Sequence, residues 1–539
     1  MTLIKNGLVV DGTGKPAFPA DVMIDGDRIA DVLPCPGSPS SASSPSVQEG
    51  EVLDATGCLV TPGFIDAHSH SDAYLLIEPD APSKISQGIT TEINGQCGGS
   101  AAPRLGAARL SSDWASMVYP GGDGPGPTWR RLADYRARLA EARPSINTVQ
   151  FIGHNTLRSS VIGYDAVRAT PEALRAMENL LARELDDGGW GLTTGLIYQP
   201  GKYSDSAEVV ALAKTAAARG GFYATHMRSE GDRILEAIDE VLDLVDATGI
   251  RAEISHLKTS GRANWGKIGA VLDKIQSAVD SGRLLGSDRY PYCAAGTDLD
   301  VVFPDWAGEG GCPAECARLA DPALRARIVA ELDASGRDWA NVRIGGTWSD
   351  DTKPYSGRSV ADILRDEPRF GSPGCLVCWM LERDACRTGA FFFGMSEENL
   401  QLICERPWIV PGSDASLRAP WGQLGKDHPH PRAYGTMPRF FRLLTGRVEG
   451  HAAIATREET IARMTSVPAR RFGIRSRGVL EKGAFADIAV WREESFRDVA
   501  AYDAPHVFAE GMEAVFVNGA LSYRAGRFLR AGAGRFLER

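Results

Sequence analysis

The stretch GFIDAHSHSD, Gly63 to Asp72, ends an apolar run in two histidines one residue apart, His68 and His70. Taken alone, His-x-His also suits a polar turn at a sheet edge. Farther along, other strand-like segments close in the same way. ITTEINGQC ends in Cys97, NTVQFIGHN carries His154, GGFYATHM carries His226, IRAEISHLK carries His256, and PWIVPGSD ends in Asp414. Five of the nine histidines thus fall at the ends of apolar segments. Imidazole nitrogen and thiolate sulfur are zinc ligands, and a carboxylate beside them is a typical catalytic partner. Scattered core histidines would not respect segment ends so regularly, and the pattern points to a metal site.

Such a site needs elements that bring distant residues together. Eight strand-like segments can be counted: CLVTPGFIDAHSH, ITTEINGQC, NTVQFIGHN, GWGLTTGLIY, GGFYATHM, IRAEISHLK, RLLGSDRYPY and PWIVPGSD. Helical patterns separate them, one with Thr170 as N-cap, Pro171 at the first helical position and Gly188 past the end. Eight strand–helix units predict an α/β fold, a (β/α)₈ TIM-like barrel whose strand C-termini converge on one mouth. Residues 61–474 are expected to form it. Residues 1–60 and 475–539 read instead as short strands with turns, such as Asn6-Gly7, Asp11-Gly12 and Asp25-Gly26, and are expected to build one small β-sandwich from both chain ends. Residues 293–345 are too long for a βα loop and predict an insertion over the mouth. Ser38 to Ser46, SPSSASSPS, reads as a surface loop.

Composition narrows the function. The chain has 539 residues, 43% hydrophobic and 24% charged, with net charge −10. That balance argues against nucleic-acid or anionic-membrane partners. No signal-peptide core and no apolar run of membrane-spanning length occurs, so a cytoplasmic enzyme is expected. Ten cysteines are too few for a disulfide scaffold in so long a chain. CPAEC (Cys312, Cys316) and CLVC (Cys375, Cys378) have the look of a zinc knuckle or redox pair. The two pairs follow no ribbon spacing, and buried free cysteine packs as a small hydrophobe, which is the reading adopted for them.

PGFIDAHSHSD, NGQCGGS, THMRSE, SHLKTSG, GSD and HPHPRAYGTMPR together resemble the N-acyl-D-amino-acid deacylase (D-aminoacylase) family of the amidohydrolase superfamily. The resemblance runs over nearly the whole chain. It implies a zinc enzyme that hydrolyses linear amide bonds. Cys97, His226 and His256 match the ligands of a tightly held zinc. His68, His70 and Asp414, with Cys97 shared, match a second, weaker site. Asp414 also matches the proton-shuttling carboxylate. Lys258, Tyr290 and Arg432 match groups that hold the substrate's α-carboxylate, and Tyr198 matches a tyrosine near the scissile carbonyl. Many two-metal relatives bridge their metals with a carboxylated lysine on strand four; here that segment, GLTTGLIYQPG, has none before Lys202. The resemblance assigns no role to His154 and Arg158. His428 and His430 are read as loop residues rather than ligands.

The implied substrate is a small N-acyl-D-amino acid or a dipeptide with a C-terminal D-residue, and oligomeric state is left open. The alternatives are a dipeptidase for such peptides, a hydantoinase- or dihydropyrimidinase-like cyclic amidase, and a non-catalytic scaffold. Cys97 and the missing lysine count against the second, and the full ligand set against the third. Lys258, two residues beyond His256, is expected on the same face by strand alternation. Side-chain preference is read from CAAGTDLDVVFPDWAG, which carries Val301, Val302, Phe303 and Trp306. No arginine or lysine occurs between Tyr290 and Arg318, which predicts hydrophobic over acidic side chains.

Overall fold

Eight parallel strands frame the molecule. The computed structural model describes residues 1–34, 51–109 and 129–539, and the loop expected at Ser38 to Ser46 lies outside them. Strand Phe64–Asp66 pairs with Ile89–Asn94, and that strand with Asn147–Gln150. After Phe151 the same stretch resumes as Ile152–Gly153, beside Gly191–Gly195. Phe222–His226, Arg251–Ile254, Leu285–Arg289 and Ile409–Pro411 follow in order. The last strand returns to the first. Ala67 N donates to Pro411 O at 3.1 Å, Asp414 N donates to His68 O at 2.8 Å, and Ser69 and Ala415 form a parallel bridge. These contacts close the (β/α)₈ barrel that the segment pattern predicts.

The strands are buried on both faces, against the barrel interior and against the helices. Gly191 must lack a side chain, because a Cβ there would lie 2.0 Å from Phe222 O. Helix Pro171–Asp186 begins as expected, with the Thr170 hydroxyl accepting from Ala173 N. Its Met177, Leu180, Leu181 and Leu185 form one buried stripe at helical spacing.

Both chain ends contribute to a single nine-stranded sheet. The join is Leu59–Pro62, antiparallel to Ile488–Trp491. Strands that are not neighbours in this sheet share a core, Val22, Ile24 and Ile29 with Ile488 and Phe516, so the sheet folds over on itself. Trp491 fastens it to the barrel, its ring 6.1 Å from Phe64 and 4.9 Å from Phe441. Between Leu285–Arg289 and Ile409–Pro411 lies a separate unit. It has an antiparallel sheet of Ala295–Asp298, Gly389–Phe392 and Val342–Ile344, and its own core around Leu299, Ile328, Ile344, Leu376 and Leu381. Because that core runs past residue 345, we propose that the insertion ends near Phe392, within a barrel of residues 61–474 flanked by 1–60 and 475–539. Among the described residues no helix is long and apolar enough to cross a membrane.

The barrel seam carries a buried cation. Lys84 is fully enclosed, and its Nζ donates to Asp66 Oδ2 at 2.8 Å, Ala415 O at 2.9 Å, Ser69 Oγ at 3.0 Å and Ser413 Oγ at 3.0 Å. Asp66 also accepts from Ser413 N at 2.7 Å. The first and last strands are therefore pinned together at the residues that lead into His68 and Asp414. Replacing Lys84 with Met is expected to leave Asp66 a buried, unpaired charge and to cost about 3–5 kcal/mol. Denaturant unfolding of the metal-free protein checks this; a loss below about 1 kcal/mol would mean that the pair does not hold the seam.

Candidate metal centre

Every candidate ligand arrives from a strand end. His68 and His70 follow Phe64–Asp66, Cys97 follows Ile89–Asn94, His226 ends its strand, His256 follows Arg251–Ile254, and Asp414 follows Ile409–Pro411. Three of them have left-handed backbone, with φ of 51° at Cys97, 36° at His256 and 48° at Asp414. L-residues pay about 1–3 kcal/mol for such conformations, which persist only where the surroundings dictate them. Here the twist turns the side chains inward just after the strand ladders stop.

The atoms meet closely. One ligand atom from each of His68, Cys97, His256 and Asp414 lies within 4.8 Å of the others. Cys97 Sγ is 3.3 Å from His68 Nε2 and 3.3 Å from His256 Nε2. Two ligands on one tetrahedral zinc stand roughly 3.5 Å apart, given bonds of 2.0–2.3 Å. His70 Nε2 is 3.0 Å from Asp414 Oδ1, and His68 Nε2 is 3.4 Å from the same oxygen. His226 packs its ring 4.5 Å from that of His256. It is 5% exposed, and neither of its ring nitrogens has a hydrogen-bond partner. Glu230 Oε2 lies 3.5 Å from His226 Nε2, too poorly aligned for a hydrogen bond. A buried imidazole so weakly satisfied is costly, and a metal ion is a partner that His226, Glu230 and His256 together could hold.

Two carboxylates that sequence spacing does not reveal, Asp288 and Glu230, stand behind these rings, and a third, Asp66, holds the His68 backbone. An Nε2 free to bind metal needs its proton on Nδ1. His68 Nδ1 lies 3.2 Å from Asp288 Oδ2, and Asp288 Oδ1 accepts from His256 N at 2.9 Å. His256 Nδ1 lies 3.0 Å from Glu230 Oε1. The third, Asp66, accepts from His68 N at 3.3 Å. Burial opposes the ionisation of Asp414, but the Arg432 guanidinium and the surrounding imidazoles prevail and hold its carboxyl well below the usual range.

The expected carboxylate-binding residues divide. Arg432 Nη1 is 2.7 Å from Asp414 Oδ2, off the line of a donated hydrogen bond, and Nη2 donates to Gly296 O at 3.2 Å. Its Nε and Nη1 hydrogens and the Tyr290 hydroxyl are buried without hydrogen-bond partners, and the guanidinium lies 4.6 Å over the Tyr290 ring. Lys258 is engaged differently. Its Nζ is paired with Glu230 and stands 2.7 Å from His256 Nδ1. Strand alternation does not put it there, because the strand stops at Ile254 and both residues lie in the following turn. Tyr198 is half-buried with its ring 4.9 Å from that of His226, in the wall of a cavity of about 750 Å³ that also meets His70, Cys97, Asp414 and Arg432.

The remaining motif residues stand behind this layer. His154 Nε2 and Arg158 Nε both meet Glu208, at 2.7 and 3.1 Å, and Arg158 Nη1 donates to Pro200 O at 3.3 Å, bracing the loop that carries Tyr198. His428 Nε2 bonds Tyr502 O, and His430 accepts from Arg432 N at 3.0 Å. Neither joins the ligand cluster.

A family model for the amidohydrolase family matches residues 51–354 and 396–523. The chain belongs to the amidohydrolase family. It is 35% identical to an N-acyl-D-glutamate deacylase of Alcaligenes xylosoxydans xylosoxydans, over 98% of this chain and 96% of that one. The structure of N-acyl-D-glutamate deacylase from Bordetella bronchiseptica, complexed with zinc and a phosphonate mimic of the tetrahedral intermediate, superposes with a TM-score of 0.81 at 31% identity, covering 100% and 99% of the two chains. A D-aminoacylase structure described as having a binuclear metal centre superposes with a TM-score of 0.80 at 30% identity, with the same coverage. As an amidohydrolase of this deacylase branch, the chain is an enzyme that cleaves linear amide bonds.

Asp288 supplies a test of the ring orientation. Asp288→Asn leaves the candidate ligands in place but weakens the acceptor for His68 Nδ1–H. Zinc affinity is expected to fall about 10- to 100-fold, the usual loss for such an outer carboxylate. Competition against a chelator of known affinity measures it, and an unchanged affinity would remove Asp288 from the site.

Proposed function

We propose that this enzyme hydrolyses the amide bond of N-acyl-D-amino acids, releasing a carboxylate and a free D-amino acid. The observation that carries this reading is one juxtaposition. Within a single buried space stand a His/Cys ligand set, an ionised Asp414, and undonated hydrogens on Arg432 and Tyr290. The relatives named as D-aminoacylase and N-acyl-D-glutamate deacylase support the chirality, which no contact of this chain encodes.

Cys97, His226 and His256 would hold one zinc tightly. His68, His70 and Asp414, with Cys97 shared, would hold a second more weakly. Zinc bound there supplies Lewis acidity and lowers the pKa of water enough for attack at neutral pH. The chain's own residues do the rest. Asp414 takes the proton of the attacking water and passes it to the departing nitrogen. Arg432 keeps that carboxylate ionised through Nη1, and its unpartnered Nε hydrogen, with the Tyr290 hydroxyl, receives the substrate's α-carboxylate. Lys258, neutralised by its pair with Glu230, holds that carboxylate beside His256 and is not itself a free cation for the substrate. Tyr198 stands where a hydroxyl donor reaches the scissile carbonyl.

A dipeptide with a C-terminal D-residue presents the same groups and belongs to the same substrate class. A cyclic amide such as a hydantoin lacks the free carboxylate and would leave the Arg432 and Tyr290 donors unused. Asp414→Asn is expected to keep the fold and most of the tight zinc while lowering kcat about 10²- to 10⁴-fold. Activity on N-acetyl-D- and N-acetyl-L-amino acids with zinc-loaded protein is the measurement. A rate within tenfold of wild type would point to another base, and faster L-enantiomers would overturn the chirality.

For the side chain we propose a hydrophobic preference. Val301, Phe303, Trp348 and Phe391 line the cavity, and on the same wall burial and mutual contact push the carboxyls of Asp300 and Glu315 above the usual range, so that a further buried carboxylate there would be disfavoured as well. Arg387 and Arg109 also reach this wall from outside the stretch that lacks basic residues, and with the N-acyl-D-glutamate relative they favour an acidic side chain as the second reading. The ratio of kcat/KM for N-acetyl-D-leucine to that for N-acetyl-D-glutamate is expected to exceed one, and Arg387→Ala should change it less than about threefold. A ratio below one that Arg387→Ala reverses would establish the acidic reading.

A further inference from the structure

Cys312 and Cys316 lie one turn apart on helix Cys312–Ala320, so both thiols leave the same face. CLVC does not meet them; Cys375 and Cys378 sit on helix Pro373–Arg383, with Cys378 in the insertion's own core. Cys386 meets them instead, a residue that no spacing in the sequence connects to CPAEC. The three sulfurs lie within 4.8 Å of one another, and Cys316 Sγ is 3.6 Å from Cys386 Sγ. Sulfurs on a tetrahedral zinc at 2.3 Å stand about 3.8 Å apart. Ala385 and Cys386 have φ of 50° and 57°, and Cys386 N is tied to Leu381 O at 2.7 Å, a left-handed turn that ends helix Pro373–Arg383 and fixes the position of Cys386.

A second feature points to a ligand at the same place. Glu315, next to Cys316 and only 5% exposed, faces Cys386 and Asp300, and its Oε2 is buried without a hydrogen-bond partner. The three sulfurs form the compact donor set, and the Glu315 carboxylate, beside Cys386 but outside that compact group, is the side chain offered as the fourth ligand of a tetrahedral ion. We propose that Cys312, Cys316, Cys386 and Glu315 bind a structural divalent metal ion of thiophilic character, zinc first, separate from the catalytic centre. Binding releases the three thiol protons to solvent and replaces the bond from Cys312 Sγ to Ala385 O, 3.1 Å in this structure. The ion would pin the helix to the turn before strand Gly389–Phe392. Cys312 and Glu315 line the substrate cavity, so the site fixes one of its walls.

The test uses the full chain and zinc or cobalt as the probe. Cys97→Ala is expected to lose the catalytic zinc yet retain about one ion per chain, and its cobalt form should show strong thiolate-to-metal charge-transfer absorption. Adding Cys316→Ser and Cys386→Ser should abolish both. Glu315→Gln, a milder change, should speed zinc loss to a chelator at least tenfold. In the unaltered zinc enzyme, X-ray absorption should give about two sulfur neighbours per zinc rather than one. A Cys97→Ala chain without metal, a charge-transfer band that survives the serine substitutions, or a single sulfur per zinc in the wild type would each overturn the proposal. So would thiol titration showing Cys316 and Cys386 joined in a disulfide.

Discussion

The candidate metal centre depends on a pair of charges that never meets solvent, Lys84 and Asp66. A parallel barrel closes only where its first and last strands come together, and here that seam falls directly beneath His68 and Asp414. Hydrogen bonds between strands fix distance and register, yet they do not fix where the chain turns after the ladder ends. Lys84 supplies that second constraint by binding Asp66, Ser69, Ser413 and Ala415 O at once. A buried ion pair is weak evidence for net stability but strongly penalises any arrangement that separates its members. The seam therefore has one low-energy geometry, and the side chains that grow from it inherit that geometry.

Further out, the same logic governs protons. Several imidazoles, a thiol and a carboxylate crowd together and compete for hydrogens. Asp288 settles the competition at His68 by standing behind Nδ1 as an acceptor, whereas at His256 Nδ1 the Glu230 carboxylate and the Lys258 ammonium both approach, at 3.0 and 2.7 Å, and pull its proton in opposite senses. Nε2 lone pairs then face Cys97. Lys258 and Arg432 balance the negative charge of Glu230 and Asp414. The strained backbone at Cys97, His256 and Asp414 belongs to this account. The left-handed turns cost free energy, and the packed network around them is what keeps the residues in place.

Much of this was legible in the sequence because strand ends are legible. Apolar runs closing in His68, His70, Cys97, His226, His256 and Asp414 identify both the barrel and its mouth, and the family resemblance rests on the same residues. Asp288, Glu230 and Lys84 escaped for a physical reason: each follows from which neighbour a ring nitrogen or carboxylate faces, and sequence spacing does not encode facing. SDRY, carrying Asp288 at the end of the seventh segment, was the one signal at hand, since its strand-end position matches that of the ligands. Lys258 was expected near His256 by alternation, but the strand had already ended and a turn brought the two together. The longer insertion proposed above rests on a core built from residues on both sides of position 345, a long-range pairing that spacing does not encode, and Cys386 joins Cys312 across 74 positions of that core.

The division of labour between the two units follows from these contacts. The barrel's strand ends supply the candidate metal ligands, and His68, His256 and Asp414 are each held from at least two directions. The insertion supplies a wall, with Phe303, Trp348, Phe391 and Cys312 facing the cavity, and rests on its own small core. A change in that wall alters what fits without touching the seam beneath His68 and Asp414. A change in the seam alters the chemistry for every substrate alike. Among the described residues Tyr198 and Arg432 meet both the cavity wall and the metal-ligand cluster, as do the candidate ligands His70, Cys97 and Asp414, so the two units are coupled at this boundary.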